Sequence, residues 1–481
     1  MLWQRTARLN PLAVPGPAQG KTGGSLLFEV GEPRPHALRI DGGRVATGGG
    51  WLARGEVEGV KGSHVALLSR DGYLVGTVRI PGDGIYVLQG PVDGVATIRK
   101  LDPLKIPRCG VTDLGFQEAA LRKLRERKLL KPGAGEAAEF SKDELVGVED
   151  EVATPALKPV SKEIRPLDDP PAVIDIMVIY TPASRTGAGG KTAMEVLIEL
   201  AIEEANDCFI NSQINARLNL VHVTELPYSE SGDIGLDLQN VMLNGDGVLD
   251  EVQNLRIIQF KADLVCLVTE SEGTGFIAGV AYLLQDYPSG SPELGFSVVL
   301  RPYLVGDYVF AHEIGHNLGC AHDRLNSGGQ GTFPYSYGHR FNAQGITYAT
   351  VMTYPPGVRI PNFSNPLIAY NGVATGVADG APNSADTART INLTAPNALA
   401  SYYTASRSYV FSAPTYSVSE SGGSLTVTVR REGTSTINMS VKYATTNGTA
   451  LAGQDYVATS GTLAFASGQT EATFTVTILN N

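Results

Sequence analysis

Residues 312–323 read HEIGHNLGCAHD. His312 and His316 are four positions apart, so on a helix they share one face and can reach a single metal ion. Glu313 lies beside them, placed to hold a water rather than the metal. Gly319 can take a positive φ, end the helix and turn the chain back. That reversal lets His322 supply a third imidazole. Three imidazoles with a fourth position open are the ligand set of a catalytic zinc ion, not of a structural one.

The run resembles the metzincin zinc-peptidase signature, and Asp323 after the third histidine makes it most similar to the adamalysin (reprolysin) branch. Residues 173–183, VIDIMVIYTPA, resemble the first strand of that catalytic domain in bacterial members. Residues 349–354, ATVMTY, fall where the family has its Met-turn, which implies that Met352 lies under the metal. The resemblance implies an α/β metzincin domain over residues 171–403, with a twisted sheet and a zinc-binding helix. Asp323 is expected to anchor neighbours of the metal rather than bind it. Tyr354 has two readings: a zinc or oxyanion contact, as in the astacin and serralysin branches, or a packed tyrosine of the turn. His36, His64, His222 and His339 are read as non-ligands.

The remaining composition narrows the class. The chain has 481 residues, 43% hydrophobic and 18% charged, as in soluble globular proteins of several domains. Its net charge of −11 argues against nucleic acid or an anionic membrane as the main partner. No stretch is long and apolar enough for a transmembrane helix. The first residues, MLWQRTARLNPLAVPGPAQG, carry no signal-peptide core. The expected location is nonetheless secreted or extracellular, from the resemblance, with the true start missing. The final TVTILNN stops within a strand pattern, so the C-terminus also looks cut. Four cysteines are too few for a disulfide scaffold. Cys208 and Cys266 read as small core residues, and Cys320, inside the zinc motif, is not a ligand position of the resembled pattern.

Residues 25–101 alternate short apolar strands with glycine turns, which predicts an all-β module. Residues 1–114 are therefore read as a β-rich prodomain. Residues 115–170 pass from a basic, helix-like stretch to an acidic, proline-dotted one, the pattern of a linker or activation segment. Residues 191–212 predict a long helix, with Glu195, Glu199, Glu203 and Asp207 at spacings of four. That stripe is expected to be a solvated face. The zinc helix is expected to begin near Asp307 as N-cap.

Residues 408–481 predict a C-terminal β-sandwich. The run YATTNGTALAGQDY followed by SGTLAF closely resembles a Calx-beta domain. Glu420 and Asp455 match two carboxylate positions of calcium-binding members. Asn480 and Asn481 stand where those members carry acidic residues, and neutral amides are weaker ligands for Ca2+. Calcium is expected to bind weakly or not at all, and the module to serve as a spacer.

The expected chemistry is hydrolysis of protein or peptide substrates. Zn2+ is held by His312, His316 and His322, and Glu313 is the general base. Residues 279–282, GVAY, resemble the family's edge strand, where substrate pairs by β-augmentation. Residues 107–113, PRCGVTD, closely resemble the cysteine-switch segment of matrix metalloproteinase propeptides, departing only at Thr112. That resemblance implies that Cys109 blocks the zinc in a zymogen, that Arg108 and Asp113 pair, and that an activating protease cuts within residues 115–170. Two other classes stay open: a zinc-binding but inactive adhesin-like protein, and a zinc hydrolase acting on something other than protein.

Overall fold

The computed structural model describes residues 3–8, 24–28, 36–46, 49–111, 171–243, 247–270, 277–285, 292–396, 409–413, 415–431, 439–465 and 469–480. The chain divides into two units, residues 1–399 and 400–481. The expected linker, residues 115–170, lies outside the described residues, as do Asp113 and Asn481.

The first unit holds two sheets. Strands β1 (Trp3–Arg8), β2 (Gly24–Phe28), β3 (His36–Val45), β4 (Trp51–Val57), β5 (His64–Arg70), β6 (Tyr73–Ile80), β7 (Gly84–Pro91) and β8 (Val95–Leu101) form one eight-stranded sheet. From β2 to β8 each strand pairs antiparallel with the next, and β1 closes on β8. Positive-φ glycines such as Gly72 and Gly82 make its hairpin turns. One face closes over a core of its own that includes Leu38, Val65, Leu67, Val78, Tyr86 and Ile98. β6 is buried at nearly every position, so the other face is covered too.

What covers it is the long helix of the second layer. Strands β9 (Arg108–Val111), β10 (Ala172–Tyr180), β11 (Ala216–Glu225), β12 (Leu264–Thr269), β13 (Ile277–Ala281) and β14 (Phe296–Leu300) form a six-stranded sheet in the order β11-β10-β12-β14-β13-β9. β10, β11, β12 and β14 run parallel, and β13 is antiparallel to β14. β12, LVCLVT, is buried throughout, as a central parallel strand must be. Helix α1 (Pro182–Ala188) starts at a Thr181 capping box and ends at Gly189 in the left-handed region. Helix α2 (Lys191–Asn211) packs between β11 of this sheet and β5–β6 of the first. Helix α3 (Ile234–Met242) covers the far face, within a core that includes Ile179, Leu238, Val241, Val265 and Phe296.

The acidic stripe of α2 is therefore not a solvated face. Glu199 and Glu203 are fully buried and pair with arginines of the first sheet. Arg44 Nη2 lies 2.5 Å from Glu203 Oε2, Arg54 Nη2 2.7 Å from Asp207 Oδ1, and Arg70 Nη1 3.0 Å from Glu199 Oε2. Spacing of four revealed the stripe, but its partners are more than a hundred positions away in sequence.

The second unit's strands, among the described residues, form two small sheets. Residues Tyr409–Phe411, Ser424–Arg431 and Glu471–Thr477 form one sheet, and Met439–Ala444 pairs with Ser460–Phe465 in another. Val429, Leu463 and Phe465 are buried between them. Glu420 and Asp455 line one cavity, where Asp455 Oδ2 accepts from the Leu451 N–H at 2.7 Å.

Candidate metal centre and active site

Helix α4 (Val309–Asn317) carries His312, Glu313 and His316, and all nine of its residues are buried. Its N-cap is Tyr308 in the left-handed region, φ 58°, and not Asp307 as expected. Asp307 is occupied elsewhere: Arg359 Nη1 donates to its carbonyl at 2.9 Å and to its Oδ2 at 3.0 Å. Arg359 Nη2 also donates to the Thr353 carbonyl at 3.1 Å. This buried ion pair ties the start of α4 to the turn beneath it, and the motif itself gave no sign of Arg359. Asn317 Nδ2 pins the other end, donating to the carbonyls of Tyr282 and Phe296 at 2.9 and 3.0 Å.

Past α4 the chain reverses at Gly319, φ 93°. A Cβ there would come within 2.0 Å of Thr332 Oγ1, so conformation and space both select glycine. The reversal brings His322 back over the helix. The three Nε2 atoms then stand 3.0–3.2 Å apart. A tetrahedral zinc with nitrogen ligands at ~2.0–2.1 Å sets ligand–ligand edges of roughly 3.3–3.4 Å, so the triangle has the size this ion requires. Second contacts fix which nitrogen faces inward. His312 Nδ1 donates to the Val351 carbonyl at 2.8 Å, and His316 Nδ1 to the Cys320 carbonyl at 2.7 Å. Burial holds His316 down at about 4, and His312 and His322 well below the ordinary value. All three are the neutral imidazoles that a metal takes.

Met352 is fully buried, and a Cβ at Gly315 would meet its sulfur at 2.4 Å. The turn thus packs directly under α4, and Gly315 makes room for it. Asp323 faces away from the triangle. Its Oδ2 accepts from the Tyr354 N–H at 3.1 Å, and both its oxygens accept from Asn326 at 2.9 Å. The Tyr354 ring lies 4.1 Å from that of His322, and its hydroxyl donates to the Cys109 carbonyl at 2.5 Å.

Cys109 arrives on β9, which pairs parallel with β13 in the register Gly279↔Cys109 and Val280↔Gly110. Without β9, β13 is the edge strand of the sheet. The Cys109 sulfur lies 3.1 Å from Glu313 Oε2 and 3.5 Å from His316 Nε2. It and the three imidazole nitrogens all lie within 4.8 Å of one another. Glu313 Oε1 is buried without a hydrogen-bond partner. A Cβ at Gly279 would stand 2.6 Å from that oxygen, so the bare edge strand leaves the space it occupies. Burial pushes the Glu313 carboxyl up to about 8, and it pushes the Cys109 thiol well above its usual value. Arg108 stacks its guanidinium over the Tyr354 ring at 5.6 Å.

His64, His222 and His339 are not among the gathered ligand atoms. His222 stacks on Phe260 at 3.7 Å, His339 on Phe341 at 6.0 Å, and burial lowers His64 to about 4. Cys208, Cys266 and Cys320 are fully buried. Among the described residues, no helix is long and apolar enough to cross a membrane.

Comparison with known proteins agrees with this geometry. Residues 171–364 match the model of metallo-peptidase family M12, and residues 404–481 that of the Calx-beta domain. A peptidyl-Asp metalloendopeptidase of Xanthomonas campestris pv. campestris is 33% identical over 217 residues, 44% of this chain and 49% of that protein. One from Stenotrophomonas maltophilia is 32% identical over 220 residues, 44% of this chain and 50% of that protein. One from Pseudomonas aeruginosa is 33% identical over 246 residues, 46% of this chain and 39% of that protein. The chain thus spans half or less of the length of these curated relatives. Residues 171–364 are a reprolysin-like metallo-peptidase domain of family M12, followed at residues 404–481 by a Calx-beta domain.

Proposed function

We propose that this chain is a secreted zinc-dependent endopeptidase made in a latent form. The observation that carries the reading is the equal-sided Nε2 triangle of His312, His316 and His322, with the unpartnered Glu313 Oε1 beside it at a bare strand edge. When bound, a zinc ion supplies Lewis acidity, which lowers the pKa of a water toward neutrality and polarises a carbonyl. The chain's own residues do the rest. The three histidines hold the metal. β13 offers its free edge to an extended peptide, whose backbone pairs there. Glu313 Oε1 accepts a proton from the attacking water and returns it to the leaving nitrogen. Tyr354 is the donor that could turn from the Cys109 carbonyl to a developing oxyanion.

Latency rests on β9. The sulfur of Cys109 stands beside the triangle, 3.5 Å from His316 Nε2, where it would take the place of a water, and a bound zinc would hold that thiol as thiolate. β9 also helps to bury Glu313. Its departure would let solvent reach the carboxyl and return it toward the usual carboxylate range, where it acts as a base. An activating protease cutting within residues 115–170 would sever the chain between β9 and the catalytic domain.

The curated relatives are named for peptidyl-Asp cleavage, so peptides with Asp at the scissile bond are the substrate class to try first. The C-terminal domain is a spacer in this reading, with Ca2+ bound weakly or not at all. The test is hydrolysis of matched peptides, Asp against Asn, by processed protein with and without a chelator. Turnover of the Asp peptide that is lost on chelation and regained with zinc is expected. Metal binding without turnover of any peptide would instead favour the inactive, adhesin-like alternative.

A further inference from the structure

Two of the regions where the N-terminal module meets the rest of its unit lie apart from each other. One is the cleft, through β9. The other is the back of α2. There Arg44, Arg54 and Arg70 face the carboxylates of Glu203, Asp207 and Glu199, with Glu195 also 3.1 Å from Arg70 Nη2. The Gly50 N–H donates to Glu199 Oε1 at 2.8 Å, and Thr77 Oγ1 donates to Glu204 Oε1 at 2.7 Å. At the end of this row Arg79 reaches past the helix. It donates to the carbonyls of Gly306 and Arg359 and stacks over the Tyr308 ring at 4.4 Å. Those residues lead into α4 and follow the turn beneath it.

None of these contacts depends on the chain being continuous between β9 and β10. The buried carboxylates of Glu199 and Glu203 lie against the sheet and pair with its arginines. Separation would have to rehydrate both carboxylates and their arginine partners, and it would bare the apolar face of β5–β7. Paired charges of this kind lose heavily when one partner is removed. A partner held at two places is also retained far more strongly than by either alone.

We infer that the acidic face of α2 is a docking surface for the excised N-terminal module. After the linker is cut, residues 36–111 remain bound as a separate chain and continue to inhibit. Cutting is then necessary for activation but not sufficient; the module must also dissociate. The inference uses the latency reading only for its activity readout, and the association itself is measured independently.

The experiment uses the full chain with a specific protease site inserted after Gly147. The cut protein is passed over a sizing column at micromolar concentration and then diluted serially before assay on a peptide. The two fragments should elute as one species, and activity should appear only on dilution. In the Arg54→Glu/Arg70→Glu chain, cut in the same way, the dilution midpoint should move to a concentration higher by on the order of 100-fold. Fragments that separate on the first passage, or an unmoved midpoint in the reversed chain, would overturn the inference. Should the reversed chain not fold, the wild-type dilution series decides: activity already complete at the highest concentration counts against retention. Fragments that co-elute at first and separate on dilution, with no activity appearing, would leave the docking intact and refute the protease reading instead.

Discussion

At the residue scale the candidate metal centre was legible because three of the residues gathered there lie within one short run. Helical spacing set His312 beside His316, and the need for a positive φ at Gly319 predicted the return of His322. The N-cap was not legible. Asp307 has the right chemistry for a cap, but two arginines from distant segments claim it, and Tyr308 takes the left-handed position instead. Gly315 shows the same dependence on a distant partner, since its lack of a side chain matters only because Met352 lies beneath it. Gly315→Ala should lower stability by about 1–3 kcal/mol through overpacking. Denaturant unfolding checks it, and an unchanged midpoint would mean that Met352 yields without cost. Arg359→Ala removes one partner of a buried pair whose other members remain, and should cost about 3 kcal/mol. The double variant with Asp307→Ala should recover part of that loss in the same measurement.

At the scale of elements, periodicity located the strands and the long helix, but periodicity is blind to what covers a face. The α2 stripe reads as solvated because carboxylates at spacing four usually are. Only the arginines on β3, β4 and β5 make burial tolerable, and their pairing with α2 is a tertiary event. The β4 segment, WLARGEV, is a full member of the first sheet although its pattern is broken by Arg54 and Glu56. Those breaks mark its two-sided role: Arg54 faces α2, while Ala53 and Val57 enter the sheet's core. The β9 segment drew notice as a cysteine motif, not as a strand. Its extended form exists because β13 offers an edge to pair with. Cys109→Ser keeps that pairing and removes the sulfur. The uncut Ser variant should therefore hydrolyse peptide faster than uncut wild type, and a thiol-reactive mercurial should do the same to the wild type. Equal rates in all three would remove Cys109 from the account of latency.

At the scale of the whole molecule, the order of pieces could be read from composition, because glycine turns, a proline-dotted acidic stretch and period-two segments each leave a local mark. The assembly of the first 399 residues into one unit could not, since it rests on pairings between the first sheet and α2 and between β9 and β13. Among the described residues, those of the second unit supply none of the gathered ligand atoms. Deleting residues 408–481 should leave peptide hydrolysis nearly unchanged, and calorimetric titration of the full chain with Ca2+ should show weak binding or none. Submicromolar calcium binding would reverse the reading of Asn480 and Asn481.

The central claim is that His312, His316 and His322 hold a zinc ion while Glu313 works beside it without binding it. Zinc content and peptide turnover measured together on processed wild type, Glu313→Gln and His316→Ala test it most directly. The account predicts one zinc per chain in wild type and in Glu313→Gln. It predicts turnover lowered by about 10²–10⁴-fold in Glu313→Gln, and loss of both zinc and turnover in His316→Ala. Zinc lost from Glu313→Gln, or turnover kept in His316→Ala, would contradict it.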